Sequence, residues 1–428
     1  MAKSSELFIA LIGAVRPVIA AGASRESCIS TVREQLENSD AIHMAERIVD
    51  IELANQKLTD AEESDVWEAL IESVCESLQR DANAARDSFV TRLKLIAAEK
   101  NRRWLFALPV KIELQRAVTE LSTVTTHRVI IPACNIKEEL DAQFEEACRV
   151  IGIPAPGKHV LRFPLPTPPL FVALVQGASE PAHRNGMRSF YVGRDGLRFA
   201  EYVLDPQKDL GPVESGEVYE PLLETWLIEV AGQEVNRKAI RQVDVSIGAV
   251  ELGRNPKKLQ LYDAVARIME MHPEDASNRL QKSLGGRLAR SVRIFSRAVI
   301  QTNRDLRFLL ILVAFEVLLN RKDAPIAESL ADYGALFNAT GVEDRARLSR
   351  ELKAAYDARS RFVHDGQVPS EQLGDDKFAQ YERVAFHSWV GVIRNLLPCG
   401  EEGWSDDVFF EKLLKVKFGA TWKEVTAE

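Results

Sequence analysis

An arginine and a histidine five residues apart, in the stretch AAYDARSRFVHDG, are the residue types in this chain best suited to chemistry. An imidazole can accept or donate a proton near neutral pH, and a guanidinium can neutralise charge that develops on phosphoryl oxygens. At about 100° per residue, Arg359 falls on the apolar stripe of Leu352 and Ala355. His364 follows near the end of the same predicted helix. The two residues therefore indicate phosphodiester chemistry.

A second charge is expected in the same apolar interior. Glu316 is the only ionisable residue in the run FLLILVAFEVLL, which extends from Phe308 to Leu319. Twelve residues are too few to span a bilayer, so the run predicts a buried core helix and no membrane role. Because an unpaired buried charge is costly, Glu316 and Arg359 are expected to face each other or to surround one polar pocket. Such a pair fits either a structural ion pair or a functional site.

The spacing of Arg359 and His364 raises a geometric difficulty. Their predicted helix begins at a capping box, Thr340 and Glu343, and ends at Gly366. Positions five apart on a regular helix diverge by about 140°, so one pair converges on one phosphate only if the helix end distorts. Two copies around a two-fold axis would gather both pairs, and a homodimer is therefore expected.

The stretch YDARSRFVHDG resembles the R-x4-H motif of HEPN domains, in particular the Apea-like HEPN group, where Tyr-Asp-x-Arg-Ser precedes Val-His-x-Gly. The run RFLLILVAFEVLL resembles an earlier helix of that family, whose Glu corresponds to Glu316. The resemblance covers approximately Asn278 to Gly366. It implies a C-terminal HEPN-like helical bundle and a metal-independent endoribonuclease of the kind found in toxins and anti-phage defence.

The resemblance also implies a role for each motif residue. His364 would assist attack by the RNA 2′-hydroxyl, and Arg359 would stabilise the phosphorane. Ser360 would orient the phosphate or His364, with Tyr356 and Glu316 in support. Because the nucleophile belongs to the substrate, DNA should not be cut, and no metal or other cofactor is expected. Some HEPN domains are non-catalytic, so a module that binds RNA or a partner protein stays open as the alternative.

The R-x4-H spacing by itself is weakly specific, because Arg267 and His272 match it too. The context distinguishes the later match. Arg359 is followed by a small polar residue, lies late in a strongly patterned helix, and follows an apolar helix with one Glu.

The charge distribution favours RNA as a partner only locally. A formal net charge of −8 argues against a protein that coats nucleic acid over its whole surface. Between Arg279 and Lys322, however, ten residues are basic and two are acidic. The predicted RNA-binding residues are Arg287, Arg290, Arg293 and Arg297, which share one side of a helix, together with Arg304 and Arg361. The alternative for the shared side is a solvated face, or one paired with acidic residues.

The cysteines indicate a reducing environment. The five cysteines are scattered, and no C-x-x-C pair is present, which argues against a disulfide framework or a zinc cluster. A cytoplasmic location is expected.

The pattern along the 428 residues predicts a mainly α fold with an α+β middle part. The predicted domains are residues 1–103, helical; 104–254, α+β; and 255–428, helical with the R-x4-H motif. In the middle domain, HRVIIP and LFVALVQ predict strands, Asn135 predicts a helix start, and SFYVGRDGLRFAEYVL predicts a hairpin turning at Gly193 to Gly196. A further helix is expected near Pro221 to Val230.

The first two domains are expected to sense a trigger, such as a regulatory protein or a phage-derived molecule, or to restrain the nuclease. A nucleotide site near LFIALIG has little support, because the G-x-x-x-x-G-K-[ST] pattern is absent.

Overall fold

Helices account for most of the described chain, and a small antiparallel sheet lies in its middle. This arrangement confirms the mainly α class with an α+β middle part. The computed structural model describes residues 2–15, 25–38, 41–56, 63–77, 81–99, 102–110, 122–125, 128–155, 163, 165, 167–177, 179–204, 219–220, 223–230, 235–240, 243–244, 256–272, 282–321 and 325–427.

The N-terminal region is helical, as its apolar spacing predicts. Its helices are α1 (Ala2–Val15), α2 (Arg25–Asn38), α3 (Ala41–Gln56), α4 (Glu63–Glu76) and α5 (Ala82–Glu99). The stacked rings of Phe8 and Phe89, 5.4 Å apart at their centroids, join α1 to α5 inside a buried apolar core. Arg92 of α5 forms ion pairs with Glu72 and Glu76 of α4. The run LFIALIG lies within α1.

The middle region contains a six-stranded sheet. The strands are β1 (Arg103–Pro109), β2 (Ser122–Thr125), β3 (Arg128–Ile131), β4 (Leu170–Gln176), β5 (Tyr219–Glu220), β6 (Leu223–Glu229), β7 (Val235–Ile240) and β8 (Val243–Asp244). The sheet order is β2-β3-β4-β1-β6-β7, and β5 pairs with β8 separately. β3 and β4 are antiparallel, with Arg128 opposite Ala173 and Ile131 opposite Leu170. These are the two strands predicted from HRVIIP and LFVALVQ.

The helix predicted after Asn135 is present as α6 (Lys137–Ile151). Its N-cap residue is Ile136 rather than Asn135, so no side chain caps the helix. Leu140 and Phe144 are buried, as the helical spacing predicts.

The predicted hairpin was wrong, because its segment lies in helix α7 (Ser179–Leu204). Gly193 and Gly196 are packing positions in this helix. A Cβ at Gly193 would lie 3.0 Å from the Phe171 ring, and one at Gly196 would lie 2.8 Å from the Tyr262 ring. Glycine is needed where a neighbouring ring occupies the space of a side chain, and the sequence pattern could not separate this from a turn.

The helix expected near Pro221 to Val230 was also wrong. Pro221 and Leu222 lie outside the described residues, and Leu223–Glu229 forms strand β6, which pairs antiparallel with β7. Trp226, Leu227 and Ile228 are buried in succession, which is typical of a strand covered on both faces. A short apolar run of this kind does not distinguish a strand from a helix by its period.

The C-terminal region is helical almost throughout. Its helices are α8 (Pro256–Met271), α9 (Leu284–Ala298), α10 (Arg304–Leu319), α11 (Ile326–Asn338), α12 (Val342–Asp365), α13 (Pro369–Leu373), α14 (Asp375–Leu396), α15 (Asp406–Lys417) and α16 (Trp422–Ala427). The core helix predicted from Phe308 to Leu319 is α10. The glycine and proline residues of this region predict breaks at Gly285, Pro325 and Gly341. Pro325 and Gly341 are N-cap residues, which confirms two of these breaks. The break expected at Gly285 was wrong, since this glycine lies in the first turn of α9.

The chain forms two compact units. The first is Met1–Trp104 with Val175–Asn185, and the second is Leu105–Leu174 with Gly186–Glu428. In the second unit α7 shares a core with the C-terminal helices, where Phe199 meets the edge of Trp389 at 5.8 Å between centroids. The division into domains at 103 and 254 stays a prediction.

Candidate functional site

Helix α12 holds both motif residues, and its N-terminus differs from the prediction. Gly341 is the N-cap residue, so the Thr340 and Glu343 capping box is absent and that prediction was wrong. Arg345 supports this end of the helix instead. Its backbone N–H donates to the Gly341 carbonyl at 2.9 Å, and its Nε donates to the Ala339 carbonyl at 2.8 Å.

The C-terminus of α12 lies where the sequence predicts. Gly366 has φ of 68°, in the left-handed region that favours glycine. Its N–H donates to the Phe362 carbonyl at 3.1 Å, and the Gln367 N–H donates to the Arg361 carbonyl at 3.4 Å. The helix is therefore regular through His364, which lies in its last turn.

The two charges of the apolar interior face each other, as predicted. Arg359 Nη2 lies 3.1 Å from Glu316 Oε2, and their side chains are only 16% and 17% exposed. The ion pair leaves one buried atom of each side chain without a hydrogen bond. These atoms are Arg359 Nε and Glu316 Oε2, which form no hydrogen bond with a described residue. Arg359 is therefore held beside its carboxylate, and its Nε is a buried donor without a hydrogen-bond partner among the described residues.

Tyr356 is the third member of this cluster. The Arg359 guanidinium carbon lies 5.3 Å from the centroid of the Tyr356 ring, within range of a cation–π contact. Burial raises the pKa of the Tyr356 hydroxyl, the Glu316 carboxylate raises it further, and Arg359 opposes the shift. Tyr356 thus supplies an aromatic face, while Glu316 supplies the opposite charge.

His364 does not join this cluster within one chain. Its side chain is exposed, and it forms no hydrogen bond or ion pair with a described residue. Five residues of regular helix turn it about 140° away from Arg359. The structure thus brings together Arg359, Glu316 and Tyr356, and it leaves His364 on the solvent side of α12.

The two other predicted residues next to Arg359 differ in exposure. Ser360 is half-buried, whereas Arg361 is exposed and free of ion pairs with described residues. Arg361 precedes His364 by three positions, so both side chains lie on the outward face of α12.

The arginine stripe of α9 differs from the solvated face expected of an RNA track. Arg287 donates to both carboxylate oxygens of Asp406, at 2.7 and 2.6 Å, and to the carbonyls of Val317 and Asn320. Arg293 is buried and donates to the carbonyls of Met269 and His272, at 3.2 and 2.6 Å. These two arginines hold α9 against its neighbours, because buried carbonyls and carboxylates from distant segments take up their donors.

The remaining predicted RNA-binding residues lie nearer to solvent. Arg290 is half-buried, and its pKa is lowered by burial and then by Arg287. Arg297 is exposed. Arg304, the first residue of α10, is 44% exposed and lies 3.7 Å from Asp375 and 3.8 Å from Glu382. Their contact with RNA stays a prediction.

The earlier R-x4-H match lies in a different setting. Arg267 is exposed and forms an ion pair with Glu401 at 2.6 Å. His272 is buried so close to α9 that a Cβ at Gly285 would lie 2.2 Å from its Nε2. At this earlier match the arginine forms a surface ion pair and the histidine packs against α9. Only the residues around Arg359 distinguish the later match from it.

The functional assignment of the site rests on its own geometry. Comparison with known protein families, curated proteins and solved structures found no match. Among the described residues, no group of three or more His, Cys, Asp or Glu side chains could hold a metal ion. None of the described helices is long and apolar enough to cross a bilayer.

Two exposed cations were missed by the sequence reasoning. Arg350 and Lys353 lie on the outward face of α12, the same face as Arg361 and His364. Successive members of the set Arg350, Lys353, Arg361 and His364 are three, eight and three residues apart, which keeps them on the side opposite the apolar stripe, and angular arithmetic on the sequence could have found this signal.

Removing one member of the ion pair should destabilise the protein. We expect Glu316→Leu to lower the free energy of unfolding by about 1–3 kcal/mol, because it leaves the Arg359 guanidinium largely buried without its carboxylate. The double variant Glu316→Leu with Arg359→Leu should recover most of that loss. Urea unfolding of the four proteins measures the coupling. The single variants are Glu316→Leu and Arg359→Leu. A double variant whose loss of unfolding free energy equals the sum of the two single losses would contradict the coupling.

Proposed function

We propose that this protein is a metal-independent endoribonuclease that cleaves RNA through its own 2′-hydroxyl. The observation that supports this most is the position of Arg359, whose guanidinium is held by Glu316 and Tyr356 and whose side chain keeps 16% of its surface exposed. A guanidinium that is held in place suits a phosphoryl group, because its planar fork can donate two parallel hydrogen bonds. His364, farther along the same helix, is exposed to a substrate.

The proposed reaction is an intramolecular transesterification. His364 accepts the proton of the 2′-hydroxyl as its oxygen attacks phosphorus, and the P–O5′ bond breaks while the departing 5′-oxygen of the next nucleotide takes a proton from water. Arg359 stabilises the negative charge of the phosphorane, and Ser360 orients the phosphate. Glu316 and Tyr356 position the guanidinium. The products are a 2′,3′-cyclic phosphate and a 5′-hydroxyl end.

A two-fold dimer completes the proposed site. Arg359 and His364 diverge by about 140° on one helix, so a single chain does not aim both at one phosphate. Around a two-fold axis, Arg359 of one protomer meets His364 of its partner, and the reciprocal site forms by symmetry. Val363, between these residues, is 51% exposed and adds apolar surface beside the site.

The proposed biological role is that of a toxin or anti-phage defence effector in the cytoplasm. A nuclease of this kind needs restraint, and we assign that task to residues 1–254, which would respond to a regulatory protein or a phage-derived molecule. The C-terminal helices would form the HEPN-like domain.

The alternative function is a non-catalytic module that binds RNA or a partner protein. The observation that favours it is that several charged residues join elements of the fold. Arg287 and Arg293 hold α9 against its neighbours, and Glu316 pairs with Arg359. In that case the same pair serves stability alone.

Cleavage in the absence of metal tests the proposal. We expect purified protein in excess EDTA to cut an end-labelled RNA and leave 2′,3′-cyclic phosphate ends, because the substrate supplies the nucleophile. The matched control is the same oligonucleotide with 2′-deoxyribose throughout, which should stay intact. An RNA that stays intact under every condition, with dimeric folded protein, would favour the non-catalytic alternative.

A further inference from the structure

The outward face of α12 contains a row of exposed side chains that ends at the motif histidine. We define the outward row as Arg350, Lys353, Arg361 and His364, all of them exposed. At about 100° per residue the four side chains fall within about 80° of the helix circumference, on the side opposite Arg359. At 1.5 Å per residue the row is about 21 Å long.

The cations of the outward row are available to a ligand. Lys353 and Arg361 form no hydrogen bond or ion pair with a described residue, and Arg350 donates only through Nε to the Ala346 carbonyl of its own helix. Asp357 lies in the middle of the row, and it forms no ion pair with either neighbour among the described residues. Arg287 and Arg293 of α9, by contrast, have their donors taken up inside the fold.

We infer that the outward row binds the phosphate backbone of a single-stranded RNA segment and leads it to His364. This inference rests on the proposed function. A row of cations on one helix can follow one strand, and counterion release favours such contacts. The inference places the principal RNA contact surface on α12 instead of α9, and it assigns substrate binding to Arg350 and Lys353.

The row determines the substrate class as well as its path. Its residue types are Arg, Lys and His around one Asp, and it contains no Phe, Tyr or Trp ring to stack a base and no amide to read a base edge. Contacts from such side chains to phosphates contain no sequence information. The segment that lies along α12 is therefore bound independently of base identity.

Binding of an uncleavable RNA tests the outward row. The probe is a fluorescein-labelled, fully 2′-O-methylated single strand, whose blocked 2′-oxygens prevent cleavage, and Kd is measured by anisotropy over a series of salt concentrations. The double variant Arg350→Ala with Lys353→Ala should raise Kd on the order of tenfold and reduce the salt slope by about two. Asp357→Asn should lower Kd by about two- to fivefold, since it removes a like charge from the phosphate path. Uridine-rich and adenosine-rich probes should show the same changes.

The control variant removes the same charge from a neighbouring helix. Lys377→Ala with Arg383→Ala alters two exposed cations of α14 and should leave Kd within about twofold. An equal rise in Kd for this control, or an unchanged Kd for the α12 double variant, would overturn the inference about the outward row. The proposed nuclease would still stand in that case if the wild-type protein cleaves RNA. A wild-type protein that neither binds nor cuts any RNA would overturn both.

Discussion

Alanine at His364 or Arg359 is expected to remove RNA cleavage. Loss of a general base typically costs about 100- to 10,000-fold in rate, and loss of one donor to a transition-state oxyanion costs about 100- to 1000-fold. The His364 side chain is exposed and without contacts to described residues, so His364→Ala should keep the wild-type stability within about 0.5 kcal/mol. The measurement is single-turnover cleavage of an end-labelled RNA, beside a thermal unfolding curve for each variant.

Arg359→Ala needs a separate folding control, because it leaves Glu316 without its partner. Arg359→Lys keeps the charge but not the planar fork, and we expect it to fold while it remains strongly impaired. Arg267→Ala is the matched control for the spacing, since Arg267 occupies the same R-x4-H pattern in an exposed ion pair. Wild-type rates in His364→Ala would show that this motif is not the active site.

Two inactive variants are expected to restore activity when mixed. In a site shared across a two-fold axis, a heterodimer of Arg359→Ala and His364→Ala has one site with both residues and one with neither. Random exchange makes half of the dimers heterodimers, so the mixture should reach about a quarter of the wild-type rate. The physical reason is the divergence of about 140° between the two side chains on a regular helix.

The complementation experiment requires exchange of protomers before the assay. The two variants are mixed at a concentration below the dimer dissociation constant, concentrated together, and assayed with each variant alone beside them. Sedimentation gives the oligomeric state in parallel. A monomeric wild-type protein that cleaves RNA, or a mixture no more active than its parts, would contradict the shared site.

Two features of the site were predicted correctly because each depends on a residue's type and its place in its own helix. Gly366 ends α12 because the left-handed conformation favours glycine, and this preference is visible in one residue and its position after the apolar stripe. The pairing of Glu316 with Arg359 was also predicted, since each is a lone charge on an otherwise apolar surface.

Two glycines of the middle region led to a wrong prediction of a hairpin. Gly193 and Gly196 are typical of a turn when only the sequence is considered, yet they lie in α7 against the rings of Phe171 and Tyr262. The two rings come from 22 positions before Gly193 and 66 positions after Gly196 in the chain. No local pattern contains that information, because a missing Cβ serves a close approach as well as a positive φ.

The sequence by itself determined the helical character of both terminal regions, the end of α12 and the pairing of Glu316 on α10 with Arg359 on α12. Periodicity, the conformational preference of glycine and the cost of an unpaired charge act over a few residues, so they can be read without a fold. Only the tertiary structure decided which arginines are available to a substrate. Arg287 finds Asp406, 119 positions away, and Arg293 finds the carbonyl of His272, whereas Arg361 meets no such partner among the described residues. A guanidinium on a helix is accessible or occupied according to the carbonyls and carboxylates that distant segments bring to it, and packing alone places those groups.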